Sequence, residues 1–386
     1  MRIAFVHHGV PRPDDGSVRS WRALRWLAER HEVVLVPVGS RTAAEDCLLS
    51  GVAVVPPVFL SPDGWLTQRL RPTACAALDA RLDDLADVLS GFDWIWIGWW
   101  KLIGATRLIT HLAAWGTKIT WDWDALSLWH LSAARASWVE SPLRALVRLE
   151  NAMLYFRFER TKLRAAHAVS TPTEREARWL RRVTGRPVAV VRNCVAADQY
   201  GWVANHGAEN TAPVVIFVGS LDYGPKRHGL SWLLTRVWPL VSSRMPAAKL
   251  MIAGRGGRWL DAFRGTLGVD VIGEVPDVKP LYARSRVACV PIHFGGGLPN
   301  TLLEAAACGR PVVTTPFIQK CLGGDPPGIR VARSSKDFAA QLVSLLEDEK
   351  DAGAEGRSAL AWVHANASEE QWAQDMAKLE SLLNQQ

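Results

Sequence analysis

Short apolar runs, rich in valine and isoleucine, alternate along the chain with longer segments whose apolar residues recur every three or four positions. The first pattern is typical of buried β-strands and the second of amphipathic helices. In the first half, the predicted strands are residues 3–7, 33–38, 52–55, 93–97, 119–121, 169–171 and 188–191. The predicted helices there are residues 18–30, 73–89, 102–114, 133–165 and 173–182. Thr173, followed three residues later by Glu176, predicts a capping box for the last of these helices.

The second half repeats this alternation after a polar segment without periodicity, residues 196–213, which we interpret as a linker. Its predicted strands begin with residues 214–218, 250–253, 269–272 and 287–290, and its closing helices are 336–346, 357–363 and 369–383. Such alternation predicts an α/β fold of two Rossmann-like domains, each a doubly wound parallel sheet, facing a cleft. The predicted domains are residues 1–205 and 206–366, and we expect a C-terminal helix at 367–386 to pack back on the first domain.

Length and cysteine usage agree with two ordinary globular domains. A chain of 386 residues is too long for a single core. Its six cysteines include no CxxC pair and no spacing typical of a metal site, so we expect reduced thiols, no bound metal and a cytoplasmic location. Residues 1–10 favour a first strand over a signal peptide, and the most apolar segment, 94–100, is much shorter than a membrane span. Most of the nineteen tryptophans are expected in the cores.

The net charge of +7 is concentrated in one region of the chain. Residues 1–205 carry 26 basic and 20 acidic side chains, whereas residues 206–386 carry 19 and 18. Within residues 135–192 there are 13 basic against 5 acidic side chains. Two interpretations stay open: a solvated basic face, or peripheral contact with an anionic membrane surface or a lipid phosphate. Nucleic acid is the partner we least expect, because the cations lie on predicted helices without interleaved surface aromatics.

Candidate chemistry is densest in residues 287–315, which predict a strand, a glycine loop, a helix and a further strand. Gly295, Gly296 and Gly297 let the backbone approach a ligand, and Asn300 is predicted to cap the helix that follows. The N-terminus of such a helix favours an anion, most often a phosphate. Glu304 is an isolated carboxylate one turn further on, and a pair of sugar hydroxyls would suit it. The alternatives are a simple turn and an acid paired within the helices.

A second loop adds positive charge at the same predicted sheet edge. The sequence GSLDYGPKRHG, residues 219–229, follows the first strand of the second half and contains Lys226 and Arg227. Two cations beside a helix N-terminus suit a diphosphate, and the chain has neither a Walker sequence nor a GxGxxG motif. The alternative for either side chain is a solvated position on the loop.

Longer segments resemble the GT-B glycosyltransferases, specifically the retaining family 4 of glycosyl transferases group 1. The segments in the second half are FVGSLDYGPKRHGLSWLL at 217–234, LMIAGRGG at 250–257, VIGEVPDVKPLYARSRVACVPIHFGGGLPNTLLEAAACGRPVVTTP at 271–316 and SEEQWAQDM at 368–376. The first half is similar only in layout, through its opening strand, KITWDWDALSLWH at 118–130 and HAVSTPTEREARWL at 167–180. The resemblance implies the GT-B fold.

The resemblance also implies roles for individual residues. Glu304, as the second acid of the family's E-x7-E motif, would hold the ribose hydroxyls of a nucleotide sugar, and Lys226 would stabilise the departing diphosphate. The nucleotide base would lie near residues 273–277. The implied donor-binding residues are Gly16, Gly219, Lys226, Arg227, Gly296, Gly297, Leu298, Pro299, Asn300, Thr301 and Glu304. The implied catalytic residues are Glu304, Lys226 and Asp124.

Four positions depart from the family pattern. Gly296 stands where the first acid of the E-x7-E motif is expected, and Ser220 replaces an arginine that is common in the family. Asp122 and Asp124 occupy the region in which the family often has a histidine, and Asp124 is equally well suited to cap the next helix. His7 and His8 favour structural roles, and Trp99 and Trp100 either fill the core or stack on an acceptor ring.

The expected activity is transfer of a sugar, of the hexosyl type, from a nucleoside-diphosphate donor to a hydroxyl of a saccharide or lipid-linked acceptor. By resemblance the reaction retains the anomeric configuration, needs no metal or other cofactor, and serves polysaccharide, glycolipid or other glycoconjugate biosynthesis. Two alternatives stay open. One is a nucleotide-sugar-binding protein without turnover, suggested by Gly296 and Ser220, and the other is a GT-B epimerase or phosphorylase.

Overall fold

The computed structural model describes residues 1–12, 17–38, 51–55, 88–98, 116–138, 141–201, 203 and 212–385. These residues form two units, one comprising Met1–Val191 with Ala373–Gln386 and the other Arg192–Trp372. Element labels below number the strands and helices of the described residues in chain order.

A seven-stranded sheet, wholly parallel among its described pairs, forms the centre of the first unit. Its strands are β1 (Arg2–His8), β2 (Glu32–Val38), β3 (Ala53–Val54), β4 (Trp94–Ile97), β5 (Lys118–Asp122), β6 (Ala168–Thr171) and β7 (Val188–Val190). Their order is β3-β2-β1-β4-β5-β6-β7, so the direction of winding reverses between β1 and β4. Trp94, Trp96, Trp121 and Trp123 are fully buried here, as the sequence predicts for the tryptophans.

The helices of the first unit are α1 (Val18–Ala28), α2 (Leu126–Ser137), α3 (Pro142–Thr161) and α4 (Glu174–Thr184). The basic helical stretch predicted at 133–165 is helical, but it is divided: α2 begins earlier, at Leu126, and α3 begins at Pro142. Pro142 is the physical reason, since it lacks a backbone N–H and is suited to the first turn of a new helix. The helix predicted at 102–114 lies outside the described residues. The helix predicted at 73–89 also lies outside them, except for residues 88 and 89.

A buried carboxylate, Glu159 on α3, joins the helices of this unit. Its oxygens accept hydrogen bonds from Trp123 Nε1 at 3.2 Å, from the Ser127 backbone N–H at 3.1 Å and from Trp179 Nε1 at 3.3 Å. The Ser127 hydroxyl also donates to it. Burial raises the pKa of Glu159, and these hydrogen bonds oppose the rise. The carboxylate therefore ties α2, α3 and α4 to the end of β5.

The predicted capping box at the start of α4 is confirmed. Thr173 Oγ1 accepts from the Glu176 backbone N–H at 3.3 Å and donates to Glu176 Oε2 at 2.8 Å. The Glu176 side chain is buried, and its Oε1 has no hydrogen-bond partner among the described residues. Burial, together with the negative charge of Asp124, raises the pKa of Glu176 to about 7.

The second unit contains a six-stranded sheet whose described pairs are also parallel. Its strands are β8 (Val214–Val218), β9 (Lys249–Ala253), β10 (Val269–Gly273), β11 (Val287–Val290), β12 (Val312–Thr314) and β13 (Ile329–Val331). Their order is β10-β9-β8-β11-β12-β13, with the reversal between β8 and β11. The prediction of two doubly wound, Rossmann-like sheets is therefore confirmed.

The helices that follow the linker are α5 (Gly224–Trp232), α6 (Trp238–Arg244), α7 (Lys279–Ala283), α8 (Asn300–Ala307), α9 (Pro316–Leu322), α10 (Ser335–Glu347), α11 (Glu349–Asn366) and α12 (Glu369–Asn384). A π-helical turn, Leu233–Val237, joins α5 to α6. The segment Arg258–Phe263 is a 3₁₀-helix. Within the first unit, Glu380 of α12 forms an ion pair at 3.0 Å with His31, which immediately precedes β2. Asn384 of α12 accepts a hydrogen bond at 3.2 Å from Lys118, the first residue of β5. No helix in the described ranges is long and apolar enough to span a membrane.

The Glu159 hydrogen bonds generate a stability prediction. In Glu159→Ala, four donor groups lose a hydrogen-bond acceptor and a cavity forms, so we expect the free energy of unfolding to fall by about 3 kcal/mol. Urea denaturation followed by tryptophan fluorescence measures it. Glu150→Ala, an exposed position on the same helix, is the matched control and should change stability by less than about 0.5 kcal/mol. Equal losses in the two variants would show that Glu159 does not hold the helices together.

Glu176 predicts a pH dependence of stability. Its folded pKa of about 7 lies above the ordinary value of 4.5, so the folded chain binds a proton that the unfolded chain has released between these pH values. Stability should therefore decrease by ~3 kcal/mol as pH rises from 4.5 to 7 and then level off. Glu176→Gln should remove this decrease. Glu174→Gln, exposed in the same helical turn, should retain it in urea melts at each pH.

Candidate functional site

Three loops of the second unit meet at one sheet edge because they leave neighbouring parallel strands. β8 is flanked by β9 and β11, so Gly219, Gly254 and the triple glycine 295–297 all follow strands that end at this edge. Gly254 N–H donates to the Gly273 carbonyl at 2.7 Å, and a Cβ at Gly254 would lie only 1.7 Å from the Gly219 carbonyl oxygen. The two loops therefore approach each other at a distance that only glycine permits.

The side chain of Lys226 lies directly over Gly219. A Cβ added at Gly219 would lie 2.5 Å from both Lys226 Cδ and Lys226 Nζ. The lysine projects from the first turn of α5, which begins at Gly224 after a Tyr223 N-cap. The absence of a side chain at residue 219 is thus what gives this ammonium group its position at the sheet edge.

Glu304 on α8 is an electrostatic neighbour of Lys226. Burial lowers the pKa of the Lys226 ammonium, and the negative charge of Glu304 opposes that change. Both side chains are half-buried. Tyr282 lies on the same side, where burial and then the Glu304 charge raise its pKa, and its hydroxyl donates to the Thr301 carbonyl at 3.3 Å. Residues far apart in sequence therefore place a cation and an anion together.

The N-terminus of α8 differs from the sequence prediction in one respect. Asn300 is the first helical residue and not the cap, because Pro299 holds the N-cap position without a side-chain hydrogen bond. Asn300 Oδ1 is buried and has no hydrogen-bond partner among the described residues. The first backbone N–H groups of a helix also lack intrahelical partners. This end of α8 thus combines backbone donors, a positive dipole end and one buried side-chain acceptor.

The glycine loop before α8 is fixed at both ends. Gly297 has φ 69°, a left-handed conformation that favours glycine, and it is buried. After it, the Leu298 carbonyl accepts a hydrogen bond from Asn193 Nδ2 at 2.7 Å. On the strand side, Thr314 Oγ1 donates to the Val290 carbonyl at 2.8 Å. These contacts hold the loop in one shape before any ligand arrives.

Arg227 occupies a different environment from Lys226. Its guanidinium carbon lies 5.4 Å from the ring centre of Trp259, and the side chain is exposed. Trp259 Nε1 in turn donates to the Leu221 carbonyl at 3.1 Å, and Asp222 Oδ1 accepts from the Gly257 N–H at 3.2 Å. The two loops are therefore bound together beside Arg227, and its predicted phosphate contact stays a prediction.

Sequence reasoning missed the supports behind this site. Gly229 lies on α5 where a Cβ would be 2.0 Å from the Pro291 carbonyl oxygen, so the helix packs on the backbone that leads into the glycine loop. His228 and His293 pack edge to face with ring centres 5.5 Å apart. Burial, with a further contribution from His228, lowers the pKa of His293 to about 4, which makes it a neutral spacer near pH 7. In the sequence, only the positions of His228 and His293, close to Lys226 and Gly295, indicated that these histidines belong to the site.

In the first unit, Asp124 is part of an ionic cluster that was not predicted. Arg19 forms an ion pair with Asp124 at 3.1 Å and another with Asp122, which also accepts from Ser170 Oγ at 2.6 Å. Burial raises the pKa of Asp122, and the Arg19 charge opposes the rise. The alternative that Asp124 caps the next helix is wrong, because α2 begins after Ala125 without a side-chain cap. Arg19 instead holds both carboxylates at the carboxyl end of β5.

Several other predictions concern the first unit. His7 is buried, with Nδ1 donating to the Gly9 carbonyl at 3.2 Å, in agreement with a structural role. Gly16, Trp99 and Trp100 lie outside the described residues. Within the described ranges, no three histidine, cysteine, aspartate or glutamate side chains cluster in a way that could hold a metal ion. In the second unit, Cys194, Cys289, Cys308 and Cys321 are buried.

Comparisons with known proteins identify this arrangement. The family model described as glycosyl transferases group 1 matches residues 212–348, which contain Gly219, Lys226, the glycine loop and Glu304. No curated protein matches the sequence.

Solved structures resemble the chain over nearly its whole length. Sucrose-phosphate synthase from Thermosynechococcus elongatus aligns with a TM-score of 0.70 and 15% identity, covering 99% of this chain and 98% of that one. Anabaena HepE in complex with UDP and glucose aligns with a TM-score of 0.67 and 15% identity, covering 99% of each chain. The α,α-trehalose 6-phosphate synthase from Burkholderia multivorans aligns with a TM-score of 0.66 and 16% identity, covering 99% and 96%. Identities this low carry the fold alone, whereas the family model covers the site itself. Residues 212–348 therefore match the glycosyl transferases group 1 family, and the chain has the GT-B fold of the glycosyltransferases that it resembles.

Proposed function

We propose that this enzyme transfers a hexosyl group from a nucleoside-diphosphate sugar to a hydroxyl of a saccharide or lipid-linked acceptor, in the synthesis of a polysaccharide, glycolipid or other glycoconjugate. The observation that carries the proposal is the ammonium of Lys226 laid over Gly219, next to Glu304 and in the region that matches the family model. Anabaena HepE, a protein of similar fold, was solved in complex with UDP-glucose, which supports a nucleotide sugar as the donor.

Departure of the nucleoside diphosphate is the step that needs most stabilisation, because negative charge develops on its terminal phosphate. Lys226 supplies a cation that is already in place, so little reorganisation accompanies the reaction. Burial lowers its pKa in the free protein, and a bound diphosphate would favour the ammonium form again. The backbone N–H groups at the start of α8 would donate hydrogen bonds to the other phosphate oxygens.

Glu304 is proposed to bind the ribose of the donor. A carboxylate accepts hydrogen bonds from two neighbouring hydroxyls, and this one extends from the second turn of α8 next to the proposed phosphate position. The buried acceptor Asn300 Oδ1 would take a further hydroxyl or amine donor of the nucleotide sugar. The helix would then hold a phosphate at its end and a sugar along its side.

The finer assignments rest on the resemblance to family 4. They comprise retention of the anomeric configuration, independence of metal ions, and a catalytic contribution from Asp124. The Arg19 ion pair supports the last by holding the Asp124 carboxylate in one orientation, half-exposed to a substrate hydroxyl. Gly296 and Ser220, which replace an acid and an arginine of the family pattern, favour a second candidate function, a nucleotide-sugar-binding protein without turnover.

A thermal-shift screen against UDP-, GDP- and dTDP-sugars, followed by assays of diphosphate release, tests the proposal. We expect one donor to raise the melting temperature and to be turned over. Lys226→Ala should lower turnover by about 100-fold or more, because a fixed charge on the leaving group is lost. Glu304→Gln should weaken donor binding by roughly 10-fold or more.

Lys249→Ala is the matched control, because this exposed lysine begins β9 at the opposite end of the strands. It should behave as the unaltered enzyme. A donor that binds without any release of diphosphate would favour the binding-protein candidate. Unchanged turnover in both site variants would contradict the site assignment.

A chelator distinguishes charge stabilisation by side chains from charge stabilisation by a metal. If Lys226 and the start of α8 carry the diphosphate charge, turnover in the presence of excess EDTA should stay within about two-fold of the untreated rate. Loss of activity with EDTA, restored by Mg²⁺ or Mn²⁺, would contradict metal independence and leave the donor assignment to be judged from the thermal shifts.

A further inference from the structure

The α2–α3 hairpin exposes an unusual amount of apolar surface. Six large apolar side chains on it are more than a third exposed: Trp138 (52%), Leu143 (74%), Leu146 (53%), Val147 (46%), Met153 (67%) and Phe156 (37%). Only four others in the described residues, Met1, Tyr223, Leu240 and Leu267, are comparably exposed. Apolar exposure is therefore concentrated on one hairpin, and such concentration marks an interaction surface.

These side chains form a face of their own. Leu146, Val147 and Met153 follow Leu143 by three, four and ten residues, a spacing that aligns them along one side of α3. Four of the residues that α3 buries in the first unit lie on the opposite side: Ala145, Ala152, Tyr155 and Glu159. The helix thus has two apolar sides, and the core of the unit covers one of them.

Cations surround this face. Arg135, Arg144, Arg157, Arg160, Lys162 and Arg164 are exposed, and Glu150 is the one exposed acid in the described part of residues 135–164. No ion pair joins these six cations to an acid within the part of the chain that the structure describes. Their charges are therefore available to an external anionic surface.

The hairpin presents this face on a rigid base. The hydrogen bonds of Glu159 fix α3 to α2, His130 stacks on Tyr155 with ring centres 5.1 Å apart, and the Arg148 guanidinium lies 5.1 Å from the Trp129 ring. Because these contacts already order the backbone, little conformational entropy remains to be lost when the outer side chains contact a partner.

We propose that the α2–α3 hairpin docks on an anionic lipid bilayer, with Trp138, Leu143 and Leu146 entering the headgroup region and the flanking arginines contacting lipid phosphates. A surface helix with apolar residues on one side and cations around it matches this environment. Trp138 has an apolar ring and a polar N–H, which suits the boundary between water and acyl chains. The docking stands apart from the proposed sugar transfer.

Nucleic acid fits the face less well. Trp138 and Phe156 are exposed among the cations, so the sequence argument that surface aromatics are missing there is wrong. However, the most exposed side chains are the aliphatic Leu143 and Met153, at 74% and 67%. Aliphatic groups gain by leaving water for lipid, whereas they offer neither base stacking nor phosphate contacts.

Co-sedimentation of the full chain with vesicles tests the proposal without any donor sugar, so its outcome is independent of the enzymatic assignment. The probe is phosphatidylglycerol–phosphatidylcholine vesicles, compared with pure phosphatidylcholine, at low and at ~0.5 M salt. We expect binding to the anionic vesicles that weakens at high salt, because exposed charges are then screened within a few ångströms.

Variants locate the surface. Arg144→Gln/Arg157→Gln/Arg160→Gln should weaken anionic vesicle binding roughly 100-fold, about five-fold for each cation. Arg236→Gln/Arg244→Gln/Lys249→Gln, with the same change in net charge on exposed cations of the second unit, should leave it nearly unchanged. Leu143→Ser/Leu146→Ser should weaken it about 10-fold or more, against no change for Leu240→Ser/Leu267→Ser. Circular dichroism verifies that each variant is folded.

Three results would overturn the proposal. The first is no binding to anionic vesicles at low salt, and the second is equal weakening by the hairpin triple variant and its control. The third is a concentration-dependent dimer in sedimentation velocity that Leu143→Ser/Leu146→Ser abolishes while vesicle binding is unaffected, since a second copy would then be the occupant of this face.

Discussion

The contact of Lys226 with the bare backbone of Gly219 is the constraint on which the site of the second unit depends. This contact requires a glycine directly after β8 and a helix, α5, that begins close enough for its lysine side chain to lie over that glycine. It also requires that the neighbouring loop after β9 does not fill the same space. Gly254 and Gly229 meet these requirements, because each sits where a Cβ would collide with backbone. Glu304 then supplies the opposing charge from α8. Close backbone packing therefore sets the electrostatics of the site.

The architecture followed from periodicity, because parallel strands buried on both faces leave a clear sequence pattern. Apart from β13, which was not predicted, the strands of both sheets were predicted to within a few residues, and the glycine loop, Lys226 and Glu304 were identified from the sequence. Sequence could not reveal supports that depend on packing in three dimensions. Nothing near Arg19 in sequence indicates its pairing with Asp122 and Asp124, and Gly229 resembles an ordinary helix glycine until Pro291 is placed against it.

The local sequence did not correctly predict where some helices begin or which side of a helix is exposed. Asn300 looked like a helix cap because asparagine is favoured there, but Pro299 took that position and left the Asn300 oxygen buried without a partner. The basic segment was predicted as one helical stretch, and Pro142 divides it into two helices. The same segment has apolar residues on two sides, which periodicity cannot assign to core or surface. Burial decides that question, and it assigns Leu143, Leu146 and Met153 to the surface.

The glycine beneath Lys226 has a consequence for altering the enzyme's specificity. The volume that the lysine side chain occupies is the volume that a side chain at residue 219 would need, so the two positions share one space. A mutant library that varies residue 226 alone explores only side chains able to lie across a glycine. A library that varies residues 219 and 226 together also includes the reverse arrangement. In it, residue 219 carries the cationic side chain and a small residue at 226 leaves room for it.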